Sequence, residues 1–136
     1  MDPESGLAAS ILLAGHRVAR VLEARLDANV SSGEAVLLGV LRGESLTMSG
    51  VMQALHIKAS TATSLVSRLE TAGLVSRSRN PADRRSFLVT ITPAGEAQWA
   101  RAEPVFAEFD MALSKASGAQ ALHGFQAVLL ALPTVD

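Results

Sequence analysis

Residues 46–92 read LTMSGVMQALHIKASTATSLVSRLETAGLVSRSRNPADRRSFLVTIT, and the punctuation of this stretch decides the fold. Thr47 suits the N-cap of a short helix running through Leu55, because its hydroxyl can accept from a first-turn N–H. His56-Ile57-Lys58 leaves room only for a turn. A second helix extends from Ala59 to Ala72 and stops at Gly73, a residue that tolerates the left-handed conformation after a helix. Two runs with strand character follow, Leu74 to Arg79 and Ser86 to Thr92; in the second, Phe87, Val89 and Ile91 alternate with Leu88, Thr90 and Thr92. Asn80-Pro81-Ala82-Asp83-Arg84-Arg85 joins them as an exposed loop of turn formers.

Helix, turn, helix and hairpin in this order predict a winged helix-turn-helix. The hairpin and its preceding helix are also basic. Lys58, Arg68, Arg77, Arg79, Arg84 and Arg85 stand against Glu70 and Asp83, a local excess of four positive charges in a chain of net charge −1. A phosphate backbone responds to such a local surface rather than to the total. Solvated surface arginines are the alternative reading of the cluster alone.

The helix from Ala59 sharpens the choice. Ala62, Leu65, Val66 and Leu69 recur at i, i+3, i+4 and i+7 and predict its buried stripe. The opposite side carries Ser60, Thr61, Thr63, Ser64, Ser67, Arg68 and Thr71. A merely solvated helix favours Glu, Lys and Gln there, since Ser and Thr are poorer helix formers. Short hydroxyl side chains permit close approach and hydrogen-bond to phosphates or base edges. Drift toward Ser and Thr is the competing explanation, and the position after a helix and a three-residue turn favours DNA.

Working outward, Leu7 to Val30 reads as one long helix, with Leu7, Ile11, Val18, Leu22 and Leu26 at spacings of four and seven. Ser31-Ser32-Gly33-Glu34 matches a capping box, in which Glu34 reaches back to the N-cap. It opens a short apolar helix from Glu34 to Arg42, ended by Gly43. Beyond the hairpin, Thr92-Pro93 is an N-cap followed by proline at the first helical position. That helix runs to about Ser117, with a kink expected near Pro104, and Gly118 closes it. Ala119 to Leu132 is a last helix, apolar almost all round, which predicts burial on more than one side and hence a subunit interface.

A chain of 136 residues suits one domain with appended helices. Its longest apolar candidate, Ala119 to Pro133, is interrupted by Gln120, His123, Gly124 and Gln126, so no membrane span is expected. Asp2 and Glu4 do not resemble the basic start of a secretory signal, and a cytoplasmic location is the expectation. With no cysteine there is neither a disulfide nor a thiolate metal site.

Four segments together resemble the multiple-antibiotic-resistance regulator (MarR) family: Leu55 to Thr63, Leu69 to Arg77, Asp83-Arg84-Arg85, and Ile91-Thr92-Pro93-Ala94-Gly95. The resemblance covers nearly the whole chain, because flanking helices of suitable length lie on both sides. It implies a mostly α fold with a small β wing, and a homodimer joined through N- and C-terminal dimerisation helices. Residues 31–92 would form the DNA-binding domain, and 5–30 with 93–133 the dimerisation region. It further implies a pseudo-palindromic operator, usually repressed, and relief by a small anionic or phenolic ligand held in a crevice beside the first helix. Carried onto this sequence, Ser60, Thr61, Thr63, Ser64 and Arg68 face the major groove. Asp83 and Arg85 match the wing pair in which the acid orients the arginine toward the minor groove, and Arg77 matches a basic position at the wing's base. Arg79 and Arg84 add phosphate contacts. Lys58 departs from the family's usual Ser, Asp or Thr N-cap, which predicts either a shifted or frayed helix start or a phosphate contact.

No catalytic constellation accompanies these features. His16, His56 and His123 lie on separate elements without metal-ligand spacing, there is no glycine-rich phosphate loop, and neither an enzyme nor a cofactor is expected. His16, with Arg17 and Arg20 nearby, is a candidate for the ligand crevice or simply a surface imidazole. A winged-helix module that contacts proteins without DNA remains the alternative, and would require an exposed apolar patch on the helix or wing.

Overall fold

The computed structural model describes residues 6–135. Helices α1 (Leu7–Glu23) and α2 (Ser32–Leu41) lead to strand β1 (Leu46–Thr47), helices α3 (Met48–Leu55) and α4 (Ala59–Thr71), strands β2 (Val75–Arg79) and β3 (Phe87–Ile91), and helices α5 (Pro93–Ser117) and α6 (Ala119–Leu130). The fold is mostly α with a small β wing, as the pattern predicts. β2 and β3 pair antiparallel with Arg77 opposite Val89. β1 has no counterpart among the predicted elements. It pairs with the other edge of β3, Leu46 opposite Val89, giving the order β1-β3-β2. Two residues are too few to display a period of two, and Thr47 doubles as the predicted N-cap, its Oγ1 accepting from Gly50 N at 3.1 Å.

The predicted stripe of α4 is buried throughout. Ala62, Val66 and Leu69 join Leu37, Leu38 and Leu41 of α2 with Val51, Val75 and Val89 in one core. Each of these larger aliphatic side chains contributes about 1.5–3 kcal/mol on burial, which fixes α4 with its hydroxyls outward. A second cluster of Leu22, Leu26, Val30, Ala35 and Ala102 lies where α1 and α5 meet α2. Trp99, the chain's single tryptophan, packs against both clusters. Its ring lies over Gly39, where a Cβ would come within 2.9 Å of it, and it is tilted against Phe106 at 5.8 Å.

Thr92 ties the wing to α5. Its hydroxyl donates to Gly73 O at 2.7 Å and accepts from Gly95 N at 3.1 Å, while its own N–H donates to Leu74 O at 3.1 Å. Gly95 is required here, because a Cβ would collide with the Leu74 carbonyl oxygen. α5 continues unbroken past Pro104.

Two local expectations need correction. α1 stops at Glu23 instead of continuing to Val30. The chain turns there so that Leu26 and Val30 tuck into the second cluster, and the Glu23 carboxylate accepts from Ser32 N at 2.7 Å. α2 begins at Ser32, and only half of the expected capping box forms as read. Ser31 Oγ accepts from Glu34 N at 3.2 Å, but the Glu34 carboxylate turns to α4.

Within a single chain the outer helices leave apolar surface uncovered. α6 buries no residue, Leu130 is 89% exposed, and Leu7, Leu12, Leu13 and Met111 are also exposed. No helix among the described residues is long and apolar enough to cross a membrane.

Candidate nucleic-acid interface

Ser60, Thr61, Thr63 and Ser64 are all exposed along α4. The Thr63 hydroxyl donates to Ala59 O at 2.9 Å, which uses its proton and leaves oxygen lone pairs outward. α4 starts at the expected residue despite Lys58. Ala62 N–H bonds the Lys58 carbonyl at 2.9 Å, and the lysine side chain makes no capping bond. Lys58 is therefore an exposed cation beside the first turn.

The six basic side chains divide into two groups. Lys58, Arg79, Arg84 and Arg85 are exposed, and none is ion-paired among the described residues. Arg68 and Arg77 are engaged within the protein. Arg68 Nη2 donates to Glu34 Oε1 at 2.7 Å. Arg77 holds β2 against α4, its Nε donating to Glu70 Oε1 at 3.3 Å and its Nη2 to Ser67 Oγ at 3.4 Å. Glu34 and Ser67 are thus structural partners that spacing alone does not reveal. The local signal at Glu34 points to capping, and nothing in it announces a contact thirty-four residues away.

The wing loop is stitched from within. Asn80 N donates to Ser86 O at 3.0 Å, Asn80 Nδ2 to Ser86 Oγ at 3.1 Å, and Ala82 N to Asn80 Oδ1 at 3.0 Å. Asp83 Oδ1 accepts from Arg85 N at 3.0 Å. The link between this acid and this arginine therefore runs through the main chain, and the guanidinium has no ion-pair partner among the described residues.

A crevice of about 530 Å³ lies where α1 meets the helix-turn-helix. Val18 and Leu22 of α1, Val36 of α2, Ile57, Thr61 of α4 and Phe106 of α5 are among its lining residues. His16 does not line it; the imidazole stands exposed on α1.

The architecture is that of solved transcription regulators. A mutant of MarR from Escherichia coli complexed with operator DNA superposes with a TM-score of 0.84 at 22% identity, covering 95% of this chain and 95% of that one. MepR from Staphylococcus aureus, in complex with DNA, gives 0.83 at 19% identity and coverages of 91% and 93%. BpsR from Bordetella bronchiseptica, whose DNA binding is regulated by 6-hydroxynicotinic acid, gives 0.81 at 23% identity and coverages of 92% and 96%. At these identities the likeness concerns the fold. Residues 28–86 match the MarR family profile. This segment is similar to that family. It holds α2, the helix-turn-helix and most of the wing, so the MarR-family match falls on the exposed hydroxyl face and the exposed cations. A search of the curated proteins found no significant match.

Proposed function

We propose that the chain is a sequence-specific double-stranded DNA-binding transcriptional regulator, a ligand-responsive repressor that acts as a homodimer on a pseudo-palindromic operator. One observation carries this reading. The second helix of a helix-turn-helix presents a hydroxyl face, and exposed cations with no ion-pair partner among the described residues flank it at Lys58 and on the wing. Ser60, Thr61, Thr63 and Ser64 read the major groove, where hydroxyls can meet base edges. Lys58, Arg79 and Arg84 contact phosphates, and Arg85 reaches the minor groove from a loop that Asp83 holds. Arg77 sets the base of the wing. Residues 31–92 form the DNA-binding domain. The dimerisation region is 5–30 with 93–133; its first residue, Ser5, lies outside the described residues. The effector crevice is the one between α1 and α4, and Phe106 connects it to Trp99.

The test is fluorescence anisotropy with duplex DNA from the intergenic region beside the protein's own gene. Affinity should fall by a factor on the order of a thousand or more between about 50 and 200 mM salt, as expected for six or more phosphate contacts per dimer. Salt-insensitive binding, or none, would favour the protein-contact module.

A further inference from the structure

The charge of Arg68 and its place on α4 suggest a groove contact, but its geometry does not. At 3.6 residues per turn, Ser60, Ser64, Ser67 and Thr71 cluster within roughly 60° of one another, opposite the buried stripe, while Arg68 lies roughly 80° round from Ser60. That is the side of Thr61, but about two turns further from the N-terminal end that meets base edges. Arg68 is therefore on a flank. There its guanidinium, 66% exposed, meets the Glu34 carboxylate, 8% exposed, at 2.7 Å. The asymmetry matters. The arginine has solvent to turn to, whereas a buried carboxylate deprived of its cation bears the desolvation cost unrelieved. Glu34 is itself fixed, since its N–H donates to Ser31 Oγ in the first turn of α2. A phosphate drawing Arg68 away would have to displace a short, charge-assisted bond. The opposite flank of α4 is held as well, through Arg77 on Glu70, with a longer bond from Arg77 to Ser67 at the edge of the outward cluster.

We infer that Arg68 is a positioning residue. Through Glu34 it fixes the roll of α4 about its own axis, so that Ser60, Thr63 and Ser64 meet the groove, and it makes no DNA contact of its own. This rests on the DNA-reading function proposed above.

The test compares wild type, Arg68→Ala, Glu34→Gln and the double variant on a duplex selected by the wild-type protein and on random duplex, across a salt series. Circular dichroism checks folding. If Arg68 positions the helix, Arg68→Ala leaves the slope of log affinity against log salt unchanged. Preference for the selected site then falls roughly tenfold, a mid-range effect for residues coupled in one network. Glu34→Gln should lower that preference too, and the double variant should be no worse than the worse single change. The thermal midpoint should drop for Arg68→Ala and recover in the double variant, because a buried charge left alone costs more than a pair removed. If Arg68→Ala does not fold, Arg68→Lys serves, since it keeps the charge but loses the planar fork; preference should still fall at constant slope.

If instead Arg68 contacts phosphate, Arg68→Ala shrinks the slope by about 0.9 per chain, and Glu34→Gln leaves binding unchanged or tightens it. That result overturns the inference while leaving the DNA reader standing. A wild-type protein that binds no duplex removes both.

Discussion

Asp83 and Arg85 stand two residues apart on the wing, and the acid reaches the arginine through its main-chain N–H. Arg85→Ala should weaken binding to the operator by about 1–3 kcal/mol with little effect on folding, since the side chain is an exposed donor. Asp83→Ala should act in the same direction, by loosening the loop that presents the arginine. Tighter binding by the Asp83 variant in an anisotropy titration would mean that its charge merely repels phosphate. Gly95→Ala tests a packing requirement instead. A Cβ there meets the Leu74 carbonyl, so the variant should lose about 1–3 kcal/mol or more in urea unfolding, the usual cost of forcing atoms into a filled site. At this scale the sequence was legible wherever a residue acts on its neighbours: Thr47 and Thr92 cap as their spacing predicts. It was not legible at Glu34 and Arg68, because which of several polar groups a carboxylate chooses depends on what the tertiary fold brings within reach.

Elements followed the same rule. The stripe of α4 was plain from its period, whereas the end of α1 was not, because Leu26 continues the spacing of four beyond Glu23 and no glycine or proline interrupts it. What ends the helix is tertiary: the pull of Leu26 and Val30 into the second cluster, and the bond from Ser32 N to Glu23. That main-chain bond, with a further one from the Ser32 side chain, holds the Glu23 carboxyl below its ordinary range. A depressed folded-state pKa adds stability above the unfolded value and loses it as pH falls through the folded one. Glu23→Gln should therefore flatten the acid limb of a stability-against-pH curve and leave the neutral limb's slope unchanged. α4 offers a separate test. Changing Ser60, Thr63 and Ser64 together to Ala should keep or raise thermal stability, because Ala is the better helix former and the buried stripe is untouched. Preference for operator over random DNA should fall while non-specific, salt-sensitive binding persists. Unchanged preference would mean that this helix does not read DNA.

Over the whole molecule, the described residues place a well-packed winged helix beside helices whose apolar faces lie open. α6 buries nothing within one chain, and Leu7, Leu12, Leu13, Phe125 and Leu130 are exposed. Exposure on this scale suits an isologous interface between copies. Light scattering at micromolar concentration should give roughly twice the 14.2 kDa of one chain, and a monodisperse mass near 14.2 kDa would contradict the proposed dimer. Dimerisation and DNA reading meet in one prediction, because two copies of α4 related by a two-fold axis require a two-fold-related site. The most direct measurement is selection from a random duplex library by the full chain, followed by sequencing of the bound DNA. Such a dimer should enrich an inverted repeat with half-site centres about 10 base pairs, one helical turn, apart. Recovery of unenriched DNA, or of a single half-site without its mirror, would contradict this prediction.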